Sequence, residues 1–116
     1  MNIRIEYEKG ILKLKLDGLF VGKKILDFEN EVIPIILGLN SRYVIVDFND
    51  VDACDNLCAK SIIKISTLIS RFDGKVVLYG LNNETYISLR ENDVFDYCFK
   101  ARDYKNSLEV IKIWVH

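Results

Sequence analysis

Residues 3 to 7 alternate apolar and charged side chains, with Ile3, Ile5 and Tyr7 set against Arg4 and Glu6. Residues 11 to 17 repeat the pattern, with Leu12, Leu14 and Leu16 against Lys13, Lys15 and Asp17. Glu8-Lys9-Gly10 separates the runs, and its glycine supplies the positive φ of a tight turn. A period of two predicts a β-hairpin with one wet and one buried face. From Gly22 to Leu39 the period changes: Ile25, Phe28, Val32, Ile35, Ile36 and Leu39 fall at helical spacing. Pro34 interrupts this run. Inside a helix it removes one hydrogen bond and strikes the carbonyl four residues back, at ~3 kcal/mol. The helix therefore either kinks there or starts later than its periodicity. Gly38 and Asn40 suit its end.

Tyr43-Val44-Ile45-Val46-Asp47-Phe48 is almost continuously apolar and β-branched, which predicts a central strand covered on both faces. A loop is expected over Asn49 to Cys54. Asp55 then fits the N-cap of a second helix whose inner face carries Ala59, Ile62, Ile63, Ser66, Ile69 and Phe72. Asp73-Gly74 stops it, and Lys75 to Gly80 reads as the next buried strand. Asn82-Asn83-Glu84-Thr85 opens a third helix through Tyr86, Ile87, Leu89 and Arg90, and Asn92 or Asp93 can take the left-handed conformation that ends it. An edge strand is expected around Cys98 and Phe99. A terminal helix starting at Asp103 or Ser107 places Leu108, Ile111 and Trp114 on one face.

A hairpin followed by alternating helix and strand predicts an α/β fold: a mixed sheet with an antiparallel strand at one edge, then parallel βαβ units, and about four helices. The rim that receives the loops after the parallel strands, with Asn49 to Asp55 on it, is where function tends to sit in open sheets.

At 116 residues the chain is read as one domain, 1–116, able to bury a core unaided. Its 16 basic and 17 acidic residues nearly cancel, which argues against a nucleic-acid-binding domain, and Lys13, Lys15 and the pair Lys23-Lys24 do not make the basic stripe such a domain uses. No apolar run reaches the ~18 residues of a membrane-spanning helix, so membrane insertion is not expected. Cys54, Cys58 and Cys98 have neither zinc-type nor redox C-x-x-C spacing, and a reduced, cytoplasmic protein is expected. His116, the single histidine, is the last residue, so Ser–His and Cys–His nucleophilic pairs are excluded. No catalytic residue, metal or cofactor is expected.

The order of these elements resembles the STAS domain over nearly the whole chain. Gly10-Ile11-Leu12-Lys13-Leu14 and Leu16-Asp17-Gly18-Leu19-Phe20 are similar to that family's opening strand and its Gly-x-Leu-Asp corner. Val44-Ile45-Val46-Asp47-Phe48-Asn49-Asp50-Val51 is similar to its central strand, read as aliphatic-Asp-Leu-Ser-x-Val. Val51 to Cys58 stands where the family carries Asp-Ser-Ser-Gly.

The resemblance implies a non-catalytic protein-interaction module of the anti-sigma-factor-antagonist type, whose partner is an anti-sigma factor with serine kinase activity or an equivalent regulator. In that family the serine after the Asp is phosphorylated. A helix N-terminus favours an anion there, and a phosphate adds ~1.5 to 2 negative charges that turn off a flat interface. Asn56 is the phosphoacceptor-equivalent position here, and an amide neither accepts phosphate nor imitates it. Leu57 replaces a small polar residue, Cys58 a glycine, and Val21 the acidic residue of the nearby corner. Only Asp47 and Asp55 keep family identity. The expected partner-binding set is Phe20, Val21, Asp52, Asp55, Asn56, Leu57 and Cys58, without the phosphorylation switch. Other STAS contexts stay open: a small-molecule or nucleotide sensor, or an accessory unit of a transporter or stress-signalling complex.

Plainer readings stand beside these. Asp55 is an N-cap worth ~1 kcal/mol, and Asn56 a tolerated helix-start residue. Two thiols without further ligands make a poor metal or redox site, so Cys54 and Cys58 are expected to be small core residues.

Overall fold

The computed structural model describes residues 1–115, the side chains of Trp114 and Val115 excepted. The expected sharing of one face by Trp114 with Leu108 and Ile111, and the last residue, His116, lie outside what is described. Strand β1 (Asn2–Glu8) turns through Lys9 and Gly10 into β2 (Ile11–Phe20). Both turn residues have positive φ, 53° and 80°, and Glu8 pairs with Ile11. This is the two-residue hairpin whose twist matches its strands. Helix α1 (Lys24–Leu39) then crosses to β3 (Tyr43–Cys54), α2 (Asn56–Ser70) to β4 (Lys75–Tyr79), and α3 (Asn83–Glu91) with a short 3-10 turn (Val94–Asp96) to β5 (Phe99–Lys100). Helix α4 (Tyr104–Val115) closes the order.

The described strands form one five-stranded sheet in the order β1-β2-β3-β4-β5, with β1 antiparallel and the other pairings parallel. The mixed sheet, the central position of the Tyr43 strand and the edge strand at Phe99 are as the patterns predict. Helices α1 to α3 cover one face, where Leu12, Leu14, Leu16, Val44, Val46, Phe48, Val76 and Leu78 meet Phe28, Val32, Ile62, Ile65 and Leu89. Helix α4 covers part of the other, with Ile111 and half-buried Leu108 against Tyr43, Ile45, Val77 and Tyr79. That two-sided cover is why β3 and β4 read as unbroken apolar runs.

Three expectations change. Helix α1 begins at Lys24 and runs through Pro34, so it does not start late. Pro34 and Asn30, four residues before it, are both exposed. Ile35 is half-buried and Leu39 exposed, so the inner stripe is narrower than its periodicity. The expected loop over Asn49 to Cys54 is instead the second half of β3. It pairs with the end of β2 across two register shifts, bringing Phe20 beside Cys54. Such irregularities bend and re-aim a strand near its end, so the rim is carried on paired backbone.

Candidate functional site

The site is the point where three chain segments converge: the corner after β2, the end of β3, and the first turn of α2. Asp55 joins them. Its backbone is extended (φ −90°, ψ −171°), the geometry of an N-cap. One carboxylate oxygen accepts from Cys58 N–H at 3.0 Å, and the other accepts from Gly22 N–H at 2.9 Å. Gly22 has φ 58°, a left-handed conformation that glycine adopts without steric cost, and that conformation aims its N–H across the corner. Asp55 thus caps α2, as its position predicts, and also fastens the β2–α1 corner to it.

Helix α3 braces the same loop from the side. Ser88 Oγ donates to the carbonyl of Cys54 at 2.9 Å, and Asn92 Nδ2 donates to Asn56 Oδ1 at 3.1 Å. Asn82 caps α3 by accepting from Thr85 N–H at 2.8 Å, and its amide donates to the Val51 carbonyl at 3.4 Å. None of Gly22, Ser88 and Asn92 is in the expected set. The spacing of Ser88 and Asn92 on one side of α3 is the faint signal that they share a task.

Asp47, the other family-like carboxylate, is buried and lies apart from this surface. Tyr79 Oη donates to its Oδ2 at 2.9 Å, and Asn49 N–H donates to its Oδ1 at 2.8 Å. Burial, and then this hydrogen bond, push the Tyr79 phenol above its ordinary range. Asp47 ties β3 to β4.

The expected partner-facing residues separate by burial. Phe20 is 0% exposed and meets Phe28 edge-on, with ring centroids 5.7 Å apart. Cys58 is buried as well. Neither presents a side chain to a partner: Phe20 ends β2 pointing into the layer under α1, and Cys58 sits on the inner side of the first turn of α2. Val21 and Asp55 are half-buried, while Asp52, Asn56 and Leu57 are exposed. Leu57 is 50% exposed, the outward apolar side chain expected at this rim.

The two neighbouring cysteines depart from their expected role as separate core thiols. Cys54 and Cys58 form a disulfide, their Cα atoms 5.4 Å apart. Helix α2 starts only at Asn56. Cys54 therefore stays on the strand, and the turn of the chain at Asp55 brings it back over the first helical turn. Cys98 is a buried free thiol.

Among the described residues, no group of three or more His, Cys, Asp or Glu could hold a metal ion. No helix among them is long and apolar enough to cross a membrane.

A mixed sheet with three helices on one face is an architecture shared with known proteins. The family model described as STAS domain matches residues 2–108. The chain belongs to the STAS family. Its STAS fold superposes on a substituted form of RsbS from Moorella thermoacetica at a TM-score of 0.82 and 17% identity, covering 99% of this chain and 98% of that one. A Thermotoga maritima protein described as an anti-sigma factor antagonist gives 0.87 at 14% identity, covering 95% and 94%. Part of the murine Slc26a9 anion transporter gives 0.73 at 15% identity, covering 93% of this chain but 18% of the transporter. Among curated proteins, no sequence matches. STAS domains are generally non-catalytic interaction modules, and the STAS fold here occurs both as a free-standing protein and as one part of a larger chain.

Proposed function

We propose that this STAS domain is a non-catalytic interaction module. It binds an anti-sigma factor with serine kinase activity, or an equivalent protein regulator, through the rim formed by Val21, Asp52, Asn56 and Leu57. One observation carries the reading: Asn56 and Leu57 stand exposed on a helix start that Asp55, Gly22, Ser88 and Asn92 hold rigid. Surfaces presented by pre-ordered backbone lose little entropy on binding. An exposed leucine beside a polar amide supplies an apolar anchor with hydrogen-bonding surroundings.

The same position argues against control by phosphate. Asn56 has no hydroxyl, and its amide oxygen is engaged by Asn92. Position 56 therefore stays in a single, uncharged state, and regulation falls to the partner's own supply or conformation.

Affinity capture from the source organism's lysate tests this with the full chain and its Asn56→Glu variant. The wild type should retain a protein regulator that Asn56→Glu loses at least tenfold, because a charge enters the interface. Incubation of the captured complex with ATP should leave residue 56 unmodified, whereas Asn56→Ser restores an acceptor. Phosphate on the wild-type rim, or capture indifferent to Asn56→Glu, overturns the reading.

A further inference from the structure

An apolar groove of about 490 Å³ runs between the first halves of α1 and α2, lined by Ile25, Leu26, Glu29, Leu57, Lys60 and Ser61, with Lys23 and Lys64 at its edges. Leu26 is 62% exposed and Leu57 50%. On each helix the lining residues recur at i, i+3 or i, i+4, so two rows of side chains bound one trough. That is the shape into which the ridge of a third helix packs.

The edges are basic. Lys64 is engaged by Glu29 at 3.1 Å, which leaves Lys23 and Lys60 without an ion pair among the described residues. This local excess stands out on a chain whose formal net charge is −1. On the floor, Ser61 is 1% exposed, and its hydroxyl has no hydrogen-bond partner. Buried hydroxyls are almost always paired, and a serine inside a helix commonly bonds back to the preceding turn. Ser61 does not, and it lines the groove.

We propose that this groove docks an acidic amphipathic helix of a protein partner. Its apolar ridge enters between Leu26 and Leu57, carboxylates on its flanks pair with Lys23 and Lys60, and a polar side chain reaches Ser61 Oγ. The proposal rests on the interaction-module reading and adds the partner's chemistry, since Leu57 belongs to both the rim and the groove. A helix suits the trough better than an anionic lipid surface does. Electrostatic attachment to lipid draws on clusters of ~4–8 basic residues, and only two ammonium groups are unpaired here.

A displayed library of helical peptides with a constant leucine ridge tests this, its flanks varied from all Glu to all Lys and panned on the full chain. Acidic flanks should enrich. In fluorescence anisotropy, Leu26→Ala and Lys60→Glu should each weaken the best peptide at least tenfold, and Ser61→Ala about threefold. Lys9→Glu, in the distant hairpin turn, should change it less than twofold, and circular dichroism checks that each variant folds. No enrichment, enrichment of basic flanks, indifference to Lys60→Glu, or a preference for phosphatidylglycerol vesicles over peptide overturns the proposal. A regulator lost by Asn56→Glu but kept by Leu26→Ala and Lys60→Glu overturns the groove and leaves the rim reading standing.

Discussion

Gly22 N–H donates to Asp55 Oδ2 at 2.9 Å across 33 residues of chain, while the other oxygen of that carboxylate caps α2. One side chain therefore fixes the start of α2 and the corner before α1 in a single geometry. N-cap removal costs ~0.5–2 kcal/mol, and hydrogen bonds to charged groups contribute ~1.5–3 kcal/mol. Asp55→Ala should lower stability by about 2–3 kcal/mol in urea unfolding, and Asp55→Asn by roughly half of that. A loss below about 0.5 kcal/mol for Asp55→Ala would show that the clamp does not hold the corner.

The buried Asp47–Tyr79 pair gives a second expectation. Tyr79→Phe keeps the ring packed but leaves Asp47 Oδ2 without its donor. An orphaned buried acceptor costs ~1–3 kcal/mol, more when charged. Unfolding free energy should fall by about 2 kcal/mol, while binding at the rim changes less than twofold. Comparable losses in both would place Asp47 in the interface.

Alkaline pH probes the two groups that burial holds protonated. The Cys98 thiol, ordinarily at 9.0, is pushed up to about 12 by desolvation, and Tyr79 is raised above its usual range by burial and by Asp47. In the unfolded chain both lose their protons at their ordinary values, so above those values the unfolded state binds fewer protons than the folded one. Stability is then full below about pH 9 and falls as pH rises from 9 toward 12, each group adding a slope of up to ~1.4 kcal/mol per pH unit. Cys98→Ala should flatten the first part of this decline, read from urea midpoints between pH 8 and 11. An unaltered slope in that variant would remove Cys98 from the account.

Thiol titration in denaturant checks the Cys54–Cys58 bridge. With that disulfide formed, Cys98 is the one free thiol among the three cysteines. Treatment with a reductant should raise the count to three. Closing so short a loop restrains the unfolded chain by only ~2 kcal/mol, and Cys54→Ser with Cys58→Ser should cost about that much. Three titrating thiols without reductant would contradict the bridge.

Much of the fold is legible in the sequence because its determinants are local. The period of two in residues 3–17, the positive-φ turn at Lys9-Gly10 and the helical stripe from Ile25 to Ile36 depend on neighbours within a turn or a strand pair. The cap at Asp55 is legible for the same reason: the N–H it accepts belongs to Cys58 in the same turn. The apolar runs of β3 and β4 even announce that helices cover both faces.

The site needed the tertiary structure. Leu57 and Phe20 are equally apolar in sequence, yet Leu57 faces outward and Phe20 is sealed under Phe28. Packing of α1 over the end of β2 separates them, and no local pattern encodes it. The bonds from Ser88 to Cys54 and from Asn92 to Asn56 span 34 and 36 residues. They exist only because α3 packs beside α2. Side-chain periodicity is set by backbone geometry and is written along the chain. Which exposed residues share a surface is set by how the elements pack, and that information lies between positions far apart in sequence.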